Sequence, residues 1–323
     1  MTLPRKAPIR LGIVGLGKIA RDQHLPAIAH NHEYEIAFVA DKAVRAPINA
    51  PHFCSLEAAI ASGIEFDAVS LCTSPQPRLE LCERLFPLNC SLLLEKPSAG
   101  TYEQAKSILA KAESNSTLVF AAWHSKFAPQ VEVASAWLSK QTIVSGKIVW
   151  RENPAKWHPG QDWLWREGGF GVFDPGMNAL SILTTILPDR SFEVTSGQLG
   201  IPENSETPTL ASFLLQADET KINCEFEFHS HGQEIWDVSL TTADGSQLTL
   251  SEGGASVSIN KEPPYRQQPR EYDAIYKHFA QLICQQQNDF DIEPLRIIDA
   301  VFSNSSRTSL PPLDKSLFHP VSG

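Results

Sequence analysis

No apolar run in this 323-residue chain reaches the roughly 20 residues that a bilayer span needs. The N-terminus, Met1 to Arg10, carries charges but no apolar h-region, so nothing there suggests secretion. None of the six cysteines (Cys54, Cys72, Cys82, Cys90, Cys224, Cys284) falls in a C-x-x-C pair, and several lie inside apolar runs. That reads against a disulfide framework or a zinc site and for reduced core residues in a cytoplasmic protein. An excess of positive charge is missing too. With 27 Lys and Arg against 37 Asp and Glu the formal net charge is −10, which argues against a nucleic-acid or anionic-membrane partner and says little about a small neutral substrate. No repeat of 20–50 residues and no low-complexity tract is visible.

What is present is an ordinary globular composition, 42% apolar and 20% charged, in a chain whose length suits two domains. Ile9 to Val14 is a short β-branched strand that runs into Gly15-Leu16-Gly17-Lys18-Ile19-Ala20, followed by the helical pattern Ile19, Leu25, Ile28, Ala29. This is G-x-G-x-x-A between a strand and a helix. Gly15 suits the tight turn, Gly17 lets a pyrophosphate approach the backbone, and Ala20 permits close helix–sheet packing. The free N–H groups around Lys18 and Ile19 at the helix start would point at the phosphates. An acidic residue about 20 residues on, at the end of the next strand, is the second half of the pattern. Asp41 follows the strand Glu35–Ala40. A carboxylate there bonds the ribose hydroxyls and repels a 2′-phosphate, favouring NAD, while Lys42 and Arg45 lie near enough to leave room for NADP. Asp41 could also merely start a turn.

Strand and helix then alternate: a helix from Ser55 to Ala61 with Ser55 as N-cap, a strand Phe66–Cys72 ending in Thr73-Ser74-Pro75, and a helix Arg78–Phe86. A strand Leu92–Glu95, a helix from Thr101 to about Glu113 and a strand Thr117–Ala121 follow. This spacing predicts a doubly wound parallel sheet. Thr73, Ser74 and Pro75 sit at a strand's carboxyl end, where they flank a bound dinucleotide, or Ser74 caps the next helix. Leu92-Leu93-Leu94-Glu95-Lys96-Pro97 reads as a buried strand stopped by proline. Lys96 is thus at the carboxyl end of an interior strand, where open α/β sheets bind ligands. It is either a proton-transfer group or the rim partner of Glu95.

After Ala122 the pattern changes, which divides the chain into residues 1–122 and 123–323. A helix Phe127–Leu138 precedes mostly alternating strands: Gly146–Arg151, Phe192–Gln198, Leu210–Gln216, Lys221–Phe228, Glu234–Thr241, Gln247–Ser251 and Ala255–Ile259. They predict a large, mostly antiparallel sheet with an apolar face (Ile222, Cys224, Phe226, Phe228) and a polar one (Asn223, Glu225, Glu227, His229). Helices Asp174–Ile186, Glu271–Gln286 and Pro294–Ser303 are expected to cover the apolar face. His229-Ser230-His231 has metal-like spacing but no third ligand nearby and reads as a solvated or interface face. Phe318 to Gly323 carry no structural signal. Glu152, Trp157, His158, Trp163, Trp165 and Arg166 crowd an irregular segment that suits a sugar, with indoles on its C–H face and polar groups on its hydroxyls. Clustered tryptophans also form satellite cores. Asp174 opens a helix, with Asn178 one turn on along the same face, and Asp174 before Pro175 is equally a good N-cap.

Gly15-x-Gly17-x-x-Ala20, Glu95-Lys96-Pro97 and Asp174-x-Gly176-x-Asn178 together resemble the glucose–fructose oxidoreductase/inositol dehydrogenase (Gfo/Idh/MocA) family, in an order covering nearly the whole chain. The resemblance implies an N-terminal Rossmann domain holding NAD(P) and a C-terminal α+β domain whose open sheet often joins copies into a homo-oligomer. It implies that Lys96 lies beside nicotinamide and substrate, with Glu95 at the cofactor and a Lys96–Pro97 bond of cis type. Most members have His where this chain has Asn178. Within the family, Asp-Pro-Gly-x-Asn-Ala-Leu-Ser and Gly-Lys-Ile-Ala-Arg-Asp-Gln-His are similar to bacterial L-arabinose and D-galactose 1-dehydrogenases, which implies sugar contacts at His124, Glu152, Trp157, His158 and Asn178.

The implied chemistry is oxidation of the C1 hydroxyl of a D-galactose, L-arabinose or D-fucose type sugar to the aldonolactone. Asparagine takes no proton at useful pH, so the proton falls to Lys96 or Asp174. The alternatives are an oxidoreductase for another sugar or polyol, or a non-enzymatic NAD-binding sugar sensor.

Overall fold

A computed structural model describes residues 7–45, 48–228 and 232–314. The expectations for His229-Ser230-His231 and for Phe318 to Gly323 lie outside these residues. The chain forms two units: residues up to His124 together with Arg270–Ile292, and Ser125–Pro269 together with Glu293 onward.

In the first unit, numbering elements in chain order, the strands are β1 (Ile9–Val14), β2 (Tyr34–Ala40), β3 (His52–Phe53), β4 (Ala68–Leu71), β5 (Ser91–Glu95) and β6 (Val119–Ala122). They form one parallel sheet in the order β3-β2-β1-β4-β5-β6. The order reverses between β1 and β4, which is where doubly wound sheets open a ligand crevice. The apolar run of β5 is buried from Leu92 onward, as an interior parallel strand requires. Helices α1 (Leu25–Ala29), α2 (Leu56–Ala61), α3 (Arg78–Leu85) and α4 (Tyr102–Ser114) connect the strands. Ser55 and Thr101 cap α2 and α4 by accepting the Ala58 and Gln104 amides at 3.2 and 3.1 Å. No side chain caps α3, which starts after Pro77, so Ser74 does not have that role.

The turn after the glycine loop departs from the expected helix. Ala20–His24 is a π-helical turn leading into α1. Its extra residue shifts the face: Ala20, His24, Ala27 and Ile28 are buried, while Ile19 and Ala29 are exposed.

The second unit contains α5 (Val131–Leu138), α6 (Pro154–Trp157), α7 (Phe173–Ile186) and α9 (Glu293–Asn304). Its nine strands are β7 (Ile143–Glu152), β8 (Glu193–Pro202), β9 (Leu210–Ala217), β10 (Thr220–Phe228), β11 (Ile235–Thr242), β12 (Gln247–Ser251), β13 (Ser256–Ile259), β14 (Tyr265–Arg266) and β15 (Ser306–Leu310). They pair in the order β14-β13-β12-β11-β7-β10-β9-β8-β15, antiparallel except at β7–β10 and β8–β15. Along β10 the alternation is as expected, with Ile222, Cys224, Phe226 and Phe228 buried and Asn223 exposed. The opposite face carries Lys147–Glu225, Arg151–Glu225 and Arg151–Glu227 ion pairs at 2.7, 3.4 and 3.0 Å. Helix α5 starts at Val131 rather than Phe127, because Pro129 has no amide to give and restricts the residue before it.

One helix changes place. The segment expected to cover the second sheet near residue 271 is α8 (Glu271–Gln285), and it belongs to the first unit. Its large side chains explain this. Phe279 stacks on Phe120 of β6 at 6.0 Å, Tyr276 meets Tyr34 of β2 edge-on at 5.3 Å, and Asp289 beyond the helix extends the pairing of β6 at Phe120. The second sheet's apolar face is covered by α7, α9 and α5. The six cysteines are free, but Cys54 and Cys284 are exposed rather than part of a core.

Candidate active site

In the first unit, Gly15 has φ +91°, and a Cβ on it would stand 2.9 Å from the Thr73 amide. The turn after β1 thus lies against the end of β4, and only glycine fits there. A Cβ on Gly17 would meet nothing within 4 Å, so the backbone is open to a phosphate at the position the motif assigns. Lys18 pairs with Asp22 one turn on, and Ile19 is exposed beside it.

Asp41 follows β2 as expected, and its carboxylate is held on both oxygens. Oδ2 accepts the Leu16 amide at 2.8 Å, and Oδ1 accepts the amides of Ala43 and Val44, each at 2.8 Å. Partial burial raises its proton affinity, but the three N–H bonds outweigh that and keep the carboxyl below its usual range. It therefore both starts a turn and stays ionised beside the phosphate loop.

At the ends of β4 and β5, the buried Arg78 guanidinium donates to the Thr73 carbonyl at 2.5 Å and to the Pro97 carbonyl. Thr73 is thereby tied to the loop that carries Lys96. Lys96 is half-buried, and its bond to Pro97 is cis. The Glu95 side chain turns inward, to Tyr272 and His24; its carboxylate is spent inside the unit and does not pair with Lys96 at a rim. His124 closes this stretch of chain, its ring stacked on Tyr272 at 6.0 Å.

The second unit gathers the remaining candidates. Glu152 ends β7, and Asn153 caps α6 by accepting the Ala155 amide at 2.9 Å. This short helix returns the chain so that His158 Nε2 lies 2.7 Å from Glu152 Oε1. His158 Nδ1 lies 3.3 Å from Gln161 Oε1 and 3.7 Å from Asp174 Oδ2. Glu152 and Asp174 are 6% and 4% exposed, so an imidazole stands between two buried carboxylates.

Asp174 is not the N-cap of α7. The helix starts one residue earlier, after Val172, whose amide bonds to the Pro208 carbonyl. Asp174 is in the first turn, with its carboxylate directed to His158. Asn178 follows one turn later, and its buried Oδ1 finds no hydrogen-bond partner among the described residues. Such an oxygen is costly to leave unbonded and marks a place for a donor.

The tryptophans divide. Trp165 is buried against Phe228 at 5.4 Å and is core. Trp157 is 43% exposed, edge-on to Trp236 at 5.5 Å, with its Nε1 donating to Glu234 at 2.5 Å. Trp163 is half-buried, and Arg166 is exposed beside Asp162 at 3.7 Å. Sequence reasoning missed Trp236, Glu234 and Gln161. Trp236 pairs across the sheet with Trp150, a partnership that strand periodicity alone does not reveal.

Residues 9–122 match the Gfo/Idh/MocA oxidoreductase family, described as an NAD-binding Rossmann fold. A galactose 1-dehydrogenase of Pseudomonas fluorescens is 37% identical over 304 residues, covering 94% of this chain and 98% of that protein. The crystal structure of a D-galactose 1-dehydrogenase from Rhizobium etli is 38% identical, covers 97% of this chain and 100% of that one, and superposes with a TM-score of 0.89. The 3-ketoreductase KijD10 of Actinomadura kijaniata, at 18% identity and a TM-score of 0.81 over 94% of this chain and 100% of its own, shares the fold. The chain belongs to the Gfo/Idh/MocA family of oxidoreductases.

Proposed function

We propose that the protein is a sugar dehydrogenase, an aldose 1-dehydrogenase that oxidises the C1 hydroxyl of a D-galactose-type sugar to the aldonolactone. The observation that carries this is similarity at 37–38% identity, over nearly the full length, to two galactose 1-dehydrogenases. L-Arabinose and D-fucose share the C2–C4 configuration of D-galactose and belong to the same proposal.

The first unit fits NAD(P). Gly15 and Gly17 would hold the pyrophosphate with the Lys18 and Ile19 backbone, Thr73 to Pro75 would flank it, and the ionised Asp41 would take the ribose hydroxyls, favouring NAD over NADP. When bound, the cofactor would supply the hydride acceptor for C1.

The protein's own part is to hold the sugar and move one proton. In this proposal Asp174 takes the C1 hydroxyl proton and Lys96 binds and polarises the C1 oxygen. The orphaned Oδ1 of Asn178 accepts a sugar hydroxyl, and Glu152, His158, His124 and Trp157 complete the sugar contacts. Asparagine at 178 leaves the proton to Asp174 and Lys96.

No helix among the described residues is long and apolar enough to cross a membrane. The proposal extends to a cytoplasmic protein whose copies join through the polar face of the nine-stranded sheet. Light scattering on Glu225→Lys, which reverses one charge in the ion-pair ladder, tests that assembly.

A panel of D-galactose, L-arabinose and D-fucose with NAD and NADP, read by absorbance of the reduced cofactor, tests the function. Sugar-dependent reduction is expected, faster with NAD. No reduction with any aldose would overturn the proposal in favour of a sensor.

A further inference from the structure

Glu95 and His24 are both buried in the first unit, at 2% and 0% exposure. Glu95 Oε1 accepts the Tyr272 hydroxyl and lies 3.3 Å from His24 Nε2. His24 Nδ1 lies 2.7 Å from the Tyr276 hydroxyl, which is also 3.1 Å from Ser70 Oγ. The Tyr34 hydroxyl donates to the Tyr276 carbonyl at 2.8 Å. The imidazole is edge-on to both tyrosine rings, and His124 stacks on the outer one, Tyr272.

The groups facing this pair from each element are Cys72 after β4, His124 after β6, and Tyr272 and Tyr276 on α8. Burial alone would neutralise both partners. For Glu95 it is outweighed by the bond and field of His24, with His124 and Tyr272, and the carboxyl is lowered to about 2. For His24 it is outweighed by Cys72, Tyr276 and Glu95, and the imidazole is raised well above its ordinary value. The pair is ionised.

A buried ion pair is a weak source of stability, since apolar residues of the same shape often do as well. Its effect lies in where it places things. The four contributing elements are the π-helical turn after the phosphate loop, β4, the last residue of β5, and α8. Glu95 is the last residue of β5, so its inward carboxylate anchors the backbone from which Lys96 follows. One residue further on, Arg78 holds the Pro97 carbonyl. Lys96 thus sits between two anchored neighbours.

We propose that the His24–Glu95 pair, braced by Tyr272 and Tyr276, positions Lys96 for its work on the sugar, with Glu95, His24 and Tyr272 as positioning residues. This rests on the proposed role of Lys96. A lysine has four rotatable bonds, and a displacement of its backbone by about 1 Å costs on the order of 100-fold in rate.

The test uses the full-length protein with NAD and the best aldose, comparing wild type with Glu95→Gln and Tyr272→Phe. Glu95→Gln keeps the shape and removes the charge. It is expected to lower kcat at least about 10-fold with the KM for NAD unchanged. Acetylation of Lys96 in the ligand-free protein, followed by mass spectrometry, should become faster. Tyr272→Phe should show a smaller loss of kcat and decides the matter if Glu95→Gln does not fold. Wild-type kcat and an unchanged rate of Lys96 acetylation, with only Tm lowered, would overturn the positioning role alone. Absence of any aldose-dependent turnover in the wild type would overturn the functional proposal and this inference with it.

Discussion

Gly176 lies in α7 between Asp174 and Asn178, and the lack of a Cβ there is a packing requirement. A Cβ would stand 2.4 and 2.6 Å from two ring carbons of Phe226, on the apolar face of β10. Phe226 is 1% exposed and meets Phe173 and Phe213 edge-on at 5.8 and 5.2 Å, so its ring has no room to retreat. Gly176→Ala therefore sets two effects against each other. Alanine favours the helix by about 0.8–1.0 kcal/mol, while overpacking a filled core costs about 1–3 kcal/mol. With the ring enclosed on both sides the upper part of that range applies, and the net loss is about 1–2 kcal/mol. In a unit of this size each kcal/mol corresponds to roughly 2–4 °C, so Tm should fall by about 2–8 °C in scanning calorimetry. The helix must lift to relieve the overlap, carrying Asp174 and Asn178 with it, so kcat should drop on the order of 100-fold. NAD affinity, measured by fluorescence titration, should not change, because the phosphate loop belongs to the other unit. Adding Phe226→Leu should recover part of both losses. A Gly176→Ala protein with wild-type Tm and kcat would refute the account of why glycine stands between the two site residues.

Further outcomes are expected elsewhere. Asp174→Asn keeps the shape of the carboxyl but takes no proton, and should lower kcat by about 100-fold or more with the NAD dissociation constant unchanged; near-normal turnover would remove Asp174 as the base. Asp41→Ser removes the charge that disfavours a 2′-phosphate and should move the ratio of kcat/KM values toward NADP, and an unchanged ratio would separate Asp41 from cofactor choice. Glu95 falls from an ordinary 4.5 to about 2 in the folded protein, so its stabilisation is full above 4.5 and is lost as pH falls toward 2. His24, raised above 6.5, contributes fully below 6.5 and loses its contribution as pH rises through its folded value. The Tm difference between wild type and Glu95→Gln should thus be largest between about pH 4.5 and 6.5 and shrink on acidification, and a pH-independent difference would contradict an ionised pair. A thiol reagent should label Cys54 and Cys284 quickly in the native protein and the four buried cysteines only after unfolding, burial having pushed Cys82 and Cys90 up to about 12.

The features legible in the sequence are those with local causes. Strand and helix periods placed nearly every element, and the caps at Ser55 and Thr101 are short-range bonds that any similar turn would form. The glycine loop, Asp41 and the Lys96 strand end are likewise properties of single connections. What escaped depends on long-range partners. An amphipathic helix shows that it has an apolar face but not which layer receives it. So the sequence pattern alone assigns α8 to the nearer sheet, whereas Tyr272, Tyr276 and Phe279 carry it to the first unit. The π-helical turn was hidden because Ile19, Leu25 and Ile28 fit a regular helix on paper; only the burial of His24 requires the extra residue. The same limit applied at Glu95. Beside Lys96 it reads as an ion-pair partner or a cofactor contact, and the side chains its carboxylate meets in the fold lie 71 and 177 residues away in the chain. Asp174 shows the converse. Its sequence context, a carboxylate before proline at a helix start, satisfies the capping rule, yet Val172 precedes the helix and the carboxylate is left for His158. A carboxylate that the local rule assigns to a cap and the fold turns toward an imidazole supports the proton-transfer role proposed for Asp174.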